Sequence, residues 1–222
     1  MYSWLSSYPT TLAKVEYTPE WWEDLRRILP RTVCMSSIQV VPGIKDNTIP
    51  LIIGAPFMEL SPTLSKRIRQ CEAPLILFLL VLYFPGSEVS HANALLINKE
   101  TQEYERFEPM GTIPVRRLQK QQSQVDYWLT TTFRVYAGLE DYTYYPPEEI
   151  CPLVGPQPRS EQGIVTTGLC YQWSLLYLQT RALYPQASHD EIFALLIDTP
   201  QATIARYAHY LHDKLGWPLV PP

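Results

Sequence analysis

Glycine is scarce in this 222-residue chain, with 9 residues against 21 prolines. The prolines gather at 145–158 (YPPEEICPLVGPQP) and in the closing WPLVPP, which predicts pinned loops rather than flexible linkers. Charge is also sparse: 18% of residues, with 18 Lys and Arg, a formal net charge of −4 and no basic block. That argues against a non-specific nucleic-acid binder, which needs a Lys/Arg stripe. The longest apolar run, Pro74–Phe84, falls well short of the roughly 20 residues that cross a bilayer as a helix, so no membrane role is expected. The opening MYSWLSSYPTTLAK has no basic segment followed by a long apolar stretch, and the expectation is no secretory leader. The four cysteines, Cys34, Cys71, Cys151 and Cys170, make no CxxC pair. Their intervals fit no zinc framework, so neither metal nor cofactor is expected. They read as mostly structural thiols of a reduced, non-secreted protein.

What is present is enough apolar material for a real core, 46% hydrophobic and 12% aromatic residues, in one large domain or a domain with an arm. Residues 1–70 read as an N-terminal extension carrying substrate-binding elements within the same globule, and 71–222 as the core. In the first part, Thr18 caps a helix through Leu29, Ile38–Val41 and Ile49–Ile53 are short strands, and Ser61–Arg69 is a helix. Trp21 and Trp22 read as core and groove lining. Leu75–Phe84, His91–Asn98 and Tyr104–Phe107, separated by turns, predict an antiparallel meander whose first strand is buried on both faces. Beyond it the chain is mostly helical: Val115–Gly138 with a strand at its end, Cys170–Leu183, a helix opened by the Ser188–Glu191 capping box, and a last helix from Thr199 to Gly216. The fold class is therefore α+β.

Among candidate chemical groups, Cys170 follows the loop GIVTTGL and stands at the start of a helix. Free N–H groups and the helix dipole there favour a thiolate and can hold an oxyanion. Taken alone, its position suits a buried core cysteine better than a nucleophile. Of the four histidines, His189 falls in a capping box and His209 and His212 on the terminal helix, whereas His91 opens a strand directly after a turn. Glu108 ends the strand that pairs with it, close enough to orient an imidazole. Cys34, Cys71 and Cys151 have no such company.

The segment His91–Gly111, HANALLINKETQEYERFEPMG, resembles the His-to-acid segment of the adenovirus maturation protease family, in which a histidine opens a strand and FEP-x-G closes the next. Cys170 in TTGLCYQWSLLYL fits that family's nucleophile, at the N-terminus of a central helix. The H-x-N-x-L-x-I, E-R-F-E-P-x-G and G-x-C-x-x-W-S-L blocks also look like uncharacterised proteins of large DNA viruses. The resemblance spans about half the chain, roughly 75–183. It implies a ubiquitin-like-protease (adenain-like) fold, a central antiparallel-containing sheet packed against a Cys-bearing helix. It also implies a cysteine protease with the triad His91, Glu108 and Cys170, and a glutamine before the cysteine as oxyanion donor. Gln162, eight positions before Cys170, suits the family interval better than Gln157, thirteen before. The implied partner is a protein substrate, either a ubiquitin-like modifier or a viral structural precursor, in the cytoplasm or nucleus of a host cell or in a virion. The other readings are an acyltransferase with the same triad and an idle, protease-derived structural protein in a capsid-like assembly. Many members carry Trp directly after the histidine; here it is Ala92.

Overall fold

A computed structural model describes residues 33–40, 52–53, 62–83, 90–112, 119–160 and 169–215. The expected helix from Thr18, the Trp21–Trp22 pair and Gln162 lie outside them.

In chain order the elements are β1 (Val33–Val40), β2 (Ile52–Ile53), α1 (Pro62–Gln70), β3 (Leu75–Tyr83), β4 (Ser90–Asn98) and β5 (Glu103–Phe107). Next come α2 (Gln119–Trp128), a π-helical turn (Leu129–Phe133), α3 (Arg134–Ala137), β6 (Thr143–Tyr145), α4 (Pro147–Ile150) and α5 (Pro156–Ser160). The chain closes with α6 (Cys170–Leu183), α7 (His189–Ile197) and α8 (Gln201–Leu215). The six strands form one mixed sheet in the order β2-β1-β3-β4-β5-β6. The meander β3-β4-β5 is antiparallel as expected, with Leu82 opposite His91 and Ala94 opposite Phe107. It is flanked by two parallel pairings, β1 with β3 and β5 with β6. β1 is longer than the stretch read from sequence: it begins at Val33 and pairs with β3 along all eight residues.

The period of two in the strands separates two cores. Leu75, Leu77, Leu79 and Val81 of β3, with Ala92, Ala94 and Leu96 of β4, face α6. Ile76, Phe78, Leu80 and Leu82, with Leu95 and Ile97, face α2 and the π turn. Every residue of α6 is buried, so this helix is the centre of one layer and needs no polar face. Ala92 and Ala94 are fully covered and let α6 approach β4, where the Ser174 hydroxyl donates to Ala92 O at 3.1 Å. A tryptophan at position 92 would push the helix off the sheet.

The expected strand at the end of the Val115–Gly138 helix does not form. The β-branched run Thr130–Thr132 lies instead in the π turn. Thr130 and Thr131 hydroxyls donate to the carbonyls of Asp126 and Tyr127 at 2.9 and 2.7 Å, while Leu129 and Phe133 bury beside Trp128. Helical backbone is thus kept by burial against the propensity of three β-branched residues. Cys71 also departs from expectation: it is buried and disulfide-bonded. Sequence spacing cannot show this, because a disulfide requires proximity that only the fold supplies.

Candidate functional site

His91 enters β4 at its first turn of pleat, Glu108 follows the last residue of β5, and Cys170 is the first residue of α6. Hairpin pairing brings the first two to the same end of adjacent strands, and His91 Nε2 lies 2.7 Å from Glu108 Oε1. The Cys170 side chain also stands near the imidazole and favours its charged form. With Nε2 turned to Glu108, Nδ1 is the ring nitrogen left for sulfur. Residue exposures of 8%, 0% and 3% for His91, Glu108 and Cys170 place the three groups in a low-dielectric setting where such bonds are strong.

Burial opposes charge on His91, but the Glu108 carboxylate and the nearby Cys170 side chain prevail and raise its pKa from 6.5 to about 10. Burial likewise works against the Glu108 carboxylate, and His91, Arg106 and the Met110 N–H nevertheless hold it below the usual carboxylate range. Both directions describe an imidazolium–carboxylate pair at neutral pH.

Cys170 owes its place to α6. The first intrahelical bond runs from Trp173 N–H to Leu169 O at 3.0 Å, so the N–H groups ahead of it point off the helix end. Cys151, the other free thiol, sits on the opposite side of Glu108, where its sulfur accepts the Glu108 N–H at 3.5 Å. Burial pushes that thiol far up, the behaviour of an inert structural cysteine.

The turn after Glu108 is a template for the Pro-rich loop. Gly111, at φ +87°, bonds back to Glu108 O at 2.9 Å. Gly155 N–H reaches Met110 O at 2.9 Å, Gln157 N–H reaches Pro109 O at 3.1 Å and Thr112 N–H reaches Pro152 O at 3.0 Å. A Cβ on Gly155 would stand 2.2 Å from Pro109 O, and one on Gly111 2.3 Å from Gly155 N. Two glycines thus pass face to face, and Gln157, 6% exposed, is pinned within two residues of Glu108's own turn.

Sequence reasoning did not single out the polar groups that surround the pair. Asn93 donates Nδ2 to Glu108 Oε2 at 2.9 Å. Arg106, fully buried, bonds Asn93 Oδ1 and grips Asp126 with Nε and Nη2 at 2.8 and 2.6 Å. On the α6 side of β5, Glu105 accepts from Tyr177 Oη at 2.6 Å, Arg181 Nε at 2.7 Å and His189 Nε2 at 2.7 Å. Asn93, Glu105 and Arg106 fall inside the blocks quoted above, which was the available signal. Phe107 stacks on Tyr177 at 4.2 Å between ring centroids, so β5 is fastened to α6 by both a buried ion cluster and an aromatic pair.

Among the described residues no three His, Cys, Asp or Glu side chains gather as metal ligands, and no helix is long and apolar enough to cross a membrane. A shallow groove of about 760 Å³ runs along the π turn, lined by Thr130, Arg134 and Tyr136 among others, and includes none of the candidate residues.

No known protein family matches the chain, and no curated protein does. Among solved structures it is similar to the Legionella pneumophila effector protein RavZ, at 9% identity and a TM-score of 0.40. The match covers 76% of this chain and 48% of RavZ, so the chain spans about half the length of that protein.

Proposed function

We propose that the chain is a cysteine peptidase of the ubiquitin-like-protease type, with Cys170 as nucleophile, His91 as its base and Glu108 as the orienting acid. One observation carries the reading: His91 is bonded to Glu108 and couples to the Cys170 side chain inside a buried site. In the reacting form the Cys170 proton already resides on His91, as the imidazolium paired with Glu108, and the thiolate attacks the scissile carbonyl carbon. The oxyanion falls to the Cys170 N–H and a glutamine side chain. His91 then protonates the departing amine, and water, losing a proton to His91, releases the acid from the thioester and regenerates the thiolate–imidazolium pair. Gln157 is supported as the oxyanion donor by its burial and by the bond tying it to Pro109; Gln162 is supported by its sequence interval.

The substrate class is a protein, a ubiquitin-like tail or a viral structural precursor. The Cys71 disulfide favours an oxidising setting, such as a virion surface, over the cytoplasm.

Electrophilic probes ending in the C-termini of ubiquitin, SUMO and a third ubiquitin-like modifier test the reading. Labelling of wild type by one probe, lost in Cys170→Ala, is the expected result. Gln157→Ala should slow labelling by about 10²–10³-fold, with Gln162→Ala as the comparison. Labelling that survives Cys170→Ala refutes the assignment. No labelling by any probe, together with an uncut capsid precursor, turns the reading toward an idle structural protein.

A further inference from the structure

We infer that Asn93 and Arg106, anchored on Asp126, are positioning residues that fix the plane in which the Glu108 carboxylate meets His91. The inference rests on the reading of Glu108 as the orienting acid. Glu108 Oε1 takes His91 at 2.7 Å and the Met110 N–H at 2.9 Å. Oε2 takes the Asn93 amide at 2.9 Å. An asparagine amide has two possible orientations, and its neighbours choose between them. Arg106 has donors only, so Asn93 must turn its oxygen to Arg106 and its NH2 to Glu108.

Arg106 is itself fixed. Its fork closes on both oxygens of Asp126, from α2, a bidentate geometry with little rotational freedom. Tyr144 of β6 donates to the same Asp126 Oδ1. The relay thus reaches from β6 and α2, through β5 and β4, to the carboxylate. Without it the terminal torsion of Glu108 has a broad well, and the carboxylate plane loses one of the bonds that hold it toward the imidazole. Simple core filling does not account for it, because apolar side chains of similar volume would stabilise the interior at least as well.

The groups facing Glu108 are His91, Asn93, Arg106, the Met110 N–H and Cys151; Asp126 and Tyr144 stand behind Arg106, and Cys170 behind His91. Asn93→Leu keeps the volume and removes both bonds. Asp126→Asn keeps the shape and removes the charge that grips Arg106.

The readout is the rate of iodoacetamide alkylation at Cys170 against pH, followed by peptide mass spectrometry, with circular dichroism as the folding control. A hydrogen bond to a charged group contributes about 1.5–3 kcal/mol. Asn93→Leu should therefore move the acid limb of the profile up by about one to two pH units, and Asp126→Asn should move it in the same direction by less. An acid limb that stays in place in folded Asn93→Leu overturns the inference. If that variant does not fold, an unmoved limb in Asp126→Asn overturns it. A wild-type profile that His91→Ala leaves unchanged would instead sink the nucleophile reading itself, which keeps the two failures apart.

Discussion

Replacing Gly155 with alanine should cost about 3 kcal/mol, although neither the residue nor its side chain takes part in the chemistry. The added Cβ would lie 2.2 Å from Pro109 O, 2.5 Å from Gly111 N and 2.6 Å from Met110 C. All three are backbone atoms of the turn that follows Glu108, so no flexible side chain can yield. The Pro-rich loop must lift away, stretching the Gly155–Met110 and Gln157–Pro109 bonds at about 1 kcal/mol each. Overpacking strain adds about 1 kcal/mol or more. Gly138→Ala is the control. Its φ of +74° disfavours a side chain, but the new Cβ meets only the flexible Arg69 at 3.4 Å. Left-handed backbone alone should cost about 1–2 kcal/mol there. Urea titrations followed by tryptophan fluorescence measure both. Gly155→Ala should also lower the melting temperature by roughly 6–12 °C. A loss below about 1 kcal/mol for Gly155→Ala, or a smaller loss than for Gly138→Ala, refutes the face-to-face account of the two loops.

The His91–Glu108 pair makes stability depend on pH in a defined direction. Since the folded His91 pKa lies near 10 against 6.5, its contribution is complete below about pH 6.5 and fades as the pH rises toward 10. Wild type should lose stability across that window in urea titrations, whereas His91→Gln should not. Glu105 behaves oppositely. Burial opposes its charge, but His189 and Arg181 depress its pKa from 4.5 to about 2, so its contribution is present above 4.5 and lost as the pH falls toward 2. Glu105→Gln leaves Arg181 buried without its carboxylate and should cost about 3–5 kcal/mol, and calorimetry showing under about 1 kcal/mol would remove the cluster from the account of what holds α6 to β5.

The parts of the fold with strong local signals were legible in the sequence. The meander showed itself through alternation and turns, and α6 through its bounds at Cys170 and Tyr184-Pro185. Ser188 and Glu191 form the capping box in both directions, at 2.9 and 3.3 Å between side chain and backbone. Elements that depend on distant partners were not. The parallel pairing of β1 with β3 joins residues about forty positions apart, and β6 is three residues paired in parallel with β5 about forty positions earlier. The π turn carries a strand-like composition that burial overrides. In the site, the seventeen-residue interval from His91 to Glu108 could be read because one hairpin spans it. The Asn93–Arg106–Asp126 relay could not, since Asp126 lies on a helix that sequence spacing does not aim at β5.

The burial of every residue in α6 bears on how the site breathes. Amides of a helix with no solvent-facing side exchange with water only when the whole domain opens, not by fraying of one face. Protection factors along Trp173–Ala182 should therefore report the global unfolding free energy. The sulfur of Cys170, just ahead of that segment, is held with the same persistence as the core, and a substrate has to bring its own flexibility to meet it.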